Sequence, residues 1–301
     1  MCDIHRRPAV EIALTDARHV LNSLAKNHFL IVYLTGGEPT LHPHVDEIVS
    51  YANELGLVTA MTTNGTASKV KLKRLRDAGL YLMSVSVDHW DPKVCEKIRN
   101  HPEIHKKQIT TIKYLREIGL RTYALAYLNP ILLEDGVEKL VSYINRQFDV
   151  PIGFCYPTSC DANTYRLGGE ETNPHLLELR QATKKILDLK RGGAKIANLH
   201  CYLEDAVSFP SHNPNYYCRG GEDVVYVDWF GDVYPCFSKS QRLFNMLKGA
   251  DSHFLTNVRC NECLVNCFRE PSILPQMFSF GHGIKEIAKK LIYNTSISNY
   301  F

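Results

Sequence analysis

Short apolar, β-branched runs alternate with amphipathic stretches over the first two-thirds of the chain. The runs are FLIVYLT (29–35), LVTAMTT (57–63), LYLMSVSVD (80–88), LRTYALAYL (120–128) and VPIGFCYP (150–157). Each has the length and composition of a buried strand. Between them lie helical patterns at 16–28, 44–56, 67–79, 92–100, 107–119, 133–147 (with one tolerated Gly) and 174–191, several ending on Gly. A strand recurs about every thirty residues, as in right-handed βαβ units of a parallel sheet. The pattern begins on a helix, so one strand is missing from its front. It breaks after residues 191–196, where DVVYVDWFGDVYPC (223–236) reads as a hairpin. The expected division is an α/β domain over 1–200 and a small cysteine-rich domain over 201–301.

Composition excludes several classes. The 301 residues carry 35 basic and 32 acidic side chains, a net +3 that gives no basic stripe for nucleic acid. KVKLKRLR (69–76) reads as the solvated face of a helix. No apolar run has membrane-spanning length and no secretory leader is visible, so a cytoplasmic protein is expected. Ten cysteines in a reducing compartment point to metal rather than disulfides. Five of them, Cys218, Cys236, Cys260, Cys263 and Cys267, crowd into fifty residues.

LTGGEPTLHP (34–43) sits where the first visible strand ends, the end at which parallel α/β folds bind ligands. Gly36 and Gly37 bare the backbone, Glu38 offers a carboxylate, and Pro39 stiffens the exit. That chemistry suits a cationic amine better than a phosphate. Together with MTTNGT (61–66) and SVSVDHWDPKVCEKIRN (84–100), this motif resembles the radical S-adenosylmethionine (radical SAM) superfamily. The resemblance implies a partial (β/α)6 TIM-like barrel lacking its first strand. It implies S-adenosylmethionine as cofactor, bound at Gly36, Gly37, Glu38, Pro39, Asn64, Ser86 and Asp88, with Arg99 near its carboxylate. His89 stands where the family usually has glycine, which leaves the local loop contacts open.

The family's first strand leads into a loop of three cysteines that hold a [4Fe–4S] cluster with one iron free. Cys2 matches the last of these. The expectation is a chain shortened at its front; the rival is a genuine start with Cys2 a free thiol. In the tail, Cys218 and Cys236 follow a Cx12Gx4C pattern and Cys260–Cys263 a CxxC. These resemble the auxiliary [4Fe–4S] domains of SPASM or Twitch type, with Cys267 a spare able to replace one ligand. Four thiolates satisfy zinc equally well, so iron and zinc both stay open.

The resemblance implies a 5′-deoxyadenosyl radical that takes hydrogen from a peptide or small molecule, with an electron donor such as ferredoxin or flavodoxin. The loop after the last strand, with Tyr156, Tyr165 and Arg166, is the expected substrate contact. The alternative is a non-catalytic metal-binding protein on the same scaffold.

Overall fold

The computed structural model describes residues 10–157, 176–211, 214–249 and 253–279. Five parallel strands form one sheet in the order β1-β2-β3-β4-β5: β1 (Ile31–Leu34), β2 (Val58–Thr63), β3 (Leu82–Ser86), β4 (Arg121–Tyr127) and β5 (Ile152–Cys155). The helices between them are α1 (Leu14–Lys26), α2 (Val45–Glu54), α3 (Lys69–Asp77), α4 (Pro92–Arg99), α5 (Ile104–Glu117), α6 (Pro130–Asp135) and α7 (Val137–Phe148). The whole is a partial TIM-like barrel of α/β class with a small antiparallel sheet beside it, as the sequence led us to expect. Among the described residues no helix is long and apolar enough to cross a membrane.

Local chemistry sets the helix starts. Asp91 Oδ1 accepts the Lys93 and Val94 amides ahead of α4, and Pro92 takes the first helical position, where no amide partner is needed. Asn129 and Pro130 do the same for α6. The single helix expected over 133–147 is two: Gly136, at φ 99°, ends α6 and begins α7. A backbone angle that only glycine holds cheaply breaks the helix there.

Strand burial follows position. In β4, Thr122, Ala124 and Ala126 are buried on one face, while Tyr123, Leu125 and Tyr127 are half-buried on the other, the inner face of the barrel. β1 departs from expectation. It is an edge strand, paired to β2 alone among the described strands, and Ile31 and Tyr33 are 54% and 45% exposed.

The core does not stop near residue 200. α8 (Leu176–Arg191) leads to Ile196, which bridges in parallel to Ile152. Tyr202, Leu203 and Ala206 of α9 (His200–Ser208) and Ile273 of α10 (Asn266–Ser279) share one buried cluster with the sheet. The small sheet, β6 (Tyr226–Val227), β7 (Asp232–Tyr234) and β8 (Phe244–Asn245), packs Val233 and Phe244 against Val20 and Leu24 of α1.

Candidate active site and cysteine cluster

The C-terminal ends of β1, β2 and β3 bring the candidate cofactor residues to one end of the sheet. Gly36 sits at φ 147°, and a Cβ added to Gly37 would meet nothing within 4 Å among the described residues. Pro39 opens a single turn of 3-10 helix (Pro39–Leu41). Glu38 Oε1 accepts from Thr40 Oγ1 at 2.6 Å, from the Thr40 amide at 3.2 Å and from Thr63 Oγ1 at 2.9 Å. Its Oε2 accepts the Asn64 amide at 2.6 Å. The carboxylate read from sequence as an offer to a ligand is therefore also a stitch between the two loops. Asn64 Oδ1 in turn accepts from the Thr66 amide and hydroxyl.

Ser86 ends β3 half-buried. Asp88, fully buried, accepts the Arg99 Nε–H on Oδ2 and the Tyr127 amide on Oδ1 at 3.3 Å. Burial opposes the Arg99 charge, but Asp88 outweighs it and raises the guanidinium further. His89 is 1% exposed; its Nδ1 accepts the Asp91 amide and its Nε2 donates to Asp135, which fixes the tautomer.

Sequence reasoning missed the barrel interior. Tyr33 Oη lies 2.8 Å from Thr62 Oγ1, 2.9 Å from Ser84 Oγ and 3.2 Å from Tyr123 Oη, so one phenol ties four strands together. Although Tyr33 is 45% exposed as a residue, its hydroxyl sits among these partners, and burial there raises both phenols. Gly153 opposite allows this: a Cβ there would press on the Tyr123 ring at 3.0 Å. The alternation in RTYALAY was the available signal.

The expected substrate residue Tyr156 is 1% exposed, bonds Thr183 Oγ1 at 2.9 Å and packs edge-on to Tyr202. Its place is the core. Tyr165, Arg166 and Cys2 lie outside the described residues.

Four tail cysteines share one patch. Cys218 and Cys260 exchange backbone hydrogen bonds at 2.9 and 3.1 Å, and Cys236 and Cys263 join them in one apolar patch with Val265 and Phe268. Burial first, opposed by a backbone hydrogen bond from Gly220 and aided by the neighbouring sulfurs, pushes the Cys218 thiol up to about 12. Gly231 of the Cx12Gx4C pattern sits at φ 75°, where a Cβ would strike Leu247 at 2.6 Å. Among the described residues no three His, Cys, Asp or Glu side chains converge as they would around a single metal ion. Cys267 is apart from the four, exposed on the first turn of α10.

The family model described as the radical SAM superfamily matches residues 1–144. A heme synthase of Methanosarcina barkeri, AdoMet-dependent by name, is 32% identical over 111 residues, which are 36% of this chain and 32% of that protein. A PqqA peptide cyclase of Bradyrhizobium diazoefficiens is 26% identical over 145 residues, 48% of this chain and 37% of that one. The alignments thus span about a third of these relatives' length. Among solved structures, Streptococcus suis SuiB bound to S-adenosylmethionine superposes with a TM-score of 0.61 at 22% identity, covering 76% of this chain and 54% of SuiB. The fold is that of the radical SAM proteins. The match to the radical SAM family model thus covers just under half of the chain, its first 144 residues.

Proposed function

We propose that the protein is a radical SAM enzyme acting on a peptide or small molecule, with one auxiliary [4Fe–4S] cluster in its tail. The observation that carries this reading is the room beside Gly37 among the described residues, next to the stitched carboxylate of Glu38. A side chain at Gly37 would fill that room, and Glu38 Oε2, which takes the Asn64 amide, has one acceptor site left for a cationic amine. S-adenosylmethionine, when bound and reduced through an iron–sulfur cluster, supplies a 5′-deoxyadenosyl radical for hydrogen abstraction. The chain's own part is placement. Glu38 and Asn64 hold the two loops in register, and the Asp88–Arg99 pair fixes the end of β3. The neutral phenols of Tyr33 and Tyr123 line the interior beneath without adding charge.

Cys218, Cys236, Cys260 and Cys263 would hold the auxiliary cluster of SPASM or Twitch type. Their shared patch supports this. A peptide substrate is supported by the PqqA peptide cyclase relative, and the one-electron donor would be of ferredoxin or flavodoxin type.

The test is S-adenosylmethionine binding by equilibrium dialysis for the wild type and Gly37→Val, with iron, sulfide and zinc counted after anaerobic reconstitution. Gly37→Val leaves the fold intact and lowers affinity about tenfold or more, about 1.4 kcal/mol. Equal binding by both proteins overturns the cofactor site, and zinc without iron overturns the auxiliary cluster. Iron in the tail without S-adenosylmethionine binding leaves a metal-binding protein on this scaffold.

A further inference from the structure

A cavity of about 330 Å³ opens between α3 and α5, beside the loop that follows β2. Its rim is basic. Lys69, which opens the basic run of α3, stands on one side, and Lys106 and Lys107 of α5 stand on the other. Glu103, Lys106, Lys107, Thr110 and Tyr114 follow helical spacing, so they present one face of α5 to the cavity. Leu72 and Thr111, 1% and 4% exposed, lie beneath. Thr111 Oγ1 donates to the Gly65 carbonyl at 3.0 Å, and a Cβ added to Gly65 would lie 2.9 Å from the Gln108 Cα. The loop is thus pressed onto the α5 backbone, which fixes the floor. The lysine charges are little spent. Lys106 meets Glu103 at 3.5 Å with both side chains largely exposed, a pair worth little. Lys69 Nζ lies 4.8 Å from the Tyr114 ring centre, which places the ammonium without cancelling its charge. Among the described residues no carboxylate pairs with Lys69 or Lys107. α3 begins at Lys69 and α5 at Ile104, so both helices bring the positive ends of their dipoles to this place.

We propose that this cavity binds a small phosphate-bearing molecule of two or more negative charges, at a site separate from the candidate cofactor residues. Three ammonium groups against the single carboxylate of Glu103 leave the lining at a net +2, before the helix ends are counted. Ammonium groups are compact point charges that suit the spread charge of phosphate. The planar guanidinium fork that grips a carboxylate does not occur among the described lining residues. Thr110, exposed at the rim, adds a hydroxyl donor. Leu72 beneath leaves no acceptor to compete for the lysines. The loop that walls the cavity through Gly65 and Thr66 starts at Asn64, whose amide meets Glu38, so the bound anion sits back to back with that stitch. The proposal is independent of the radical SAM reading.

The full chain, after anaerobic reconstitution, is titrated calorimetrically with inorganic tripolyphosphate and, separately, with citrate. It is then acetylated briefly with an amine-reactive ester, with and without tripolyphosphate, and its lysines are mapped by mass spectrometry. The expected result is saturable binding of tripolyphosphate that protects Lys69, Lys106 and Lys107. Lys73 and Lys113, exposed on the same two helices but outside the cavity lining, stay reactive. Lys107→Met weakens the binding about tenfold, and Lys107→Arg, which keeps the charge, restores most of it. No saturable binding, or protection shared equally by Lys73 and Lys113, overturns the site. Citrate binding as tightly as tripolyphosphate overturns the phosphate assignment. The wild-type lysine map decides the location even if a variant does not fold.

Discussion

Glu38, in the loop after β1, accepts the backbone amide of Asn64, at the end of β2, over 2.6 Å. Two motifs far apart in sequence are thereby one unit. Glu38→Gln replaces one acceptor oxygen by a donor facing other donors. Hydrogen bonds to charged groups are worth about 1.5–3 kcal/mol, and we expect a stability loss of that order in urea unfolding. An unchanged midpoint would show that the stitch carries no weight.

Asp88 and Arg99 make a second such unit, with side chains 1% and 20% exposed. Removing one partner of a buried pair leaves an uncompensated charge, a loss of about 3–5 kcal/mol. Asp88→Asn should approach that figure, and Asp88→Asn with Arg99→Met should recover much of it. Urea midpoints for the single and double variants test the coupling, and additive losses would deny it.

Arg269 and Asp205, 1% and 3% exposed and 2.5 Å apart, lock α10 to α9. The same guanidinium reaches the Tyr216 carbonyl at 3.2 Å. Arg269→Met should speed hydrogen exchange across residues 266–279 while leaving β2 and β3 protected. Exchange accelerated equally in both places would mean global destabilisation instead.

Cys95 offers a pH readout. Burial first, then the Asp88 charge, pushes its thiol up to about 11 from an ordinary value of 9.0. Folding favours the protonated form, so this contribution is intact below pH 9.0 and is lost as pH rises through about 11. Unfolding free energy followed from pH 8 to 11 should fall less steeply in Cys95→Ala than in the wild type; parallel curves would contradict the assignment.

The strands were legible because β-branched runs bounded by glycine leave few other readings, and Cx12Gx4C carried its own geometry in Gly231. What sequence periodicity cannot show is where a side chain spends its hydrogen bonds. Glu38 reads as a free carboxylate until Thr40, Thr63 and Asn64 are seen around it. Tyr156 reads as a loop aromatic, yet it is core. Gly136 is compatible with a helix in composition and incompatible in backbone angle. Tyr33 and Tyr123 pass for ordinary strand residues, since a strand's alternation names the face but not its partner on another strand.

Only Leu264 and Val265 separate Cys263 from the start of α10, and the Leu264 carbonyl takes the Tyr202 hydroxyl at 2.7 Å. The segment that presents tail thiols is thus continuous with the helix that packs on α9 and shares the core of the barrel sheet. An occupant of either place would work against the same short lever, and where two ligands bias one element their affinities shift by a common factor, each on the other. The tail would then act as a thermodynamic gauge of what the barrel holds.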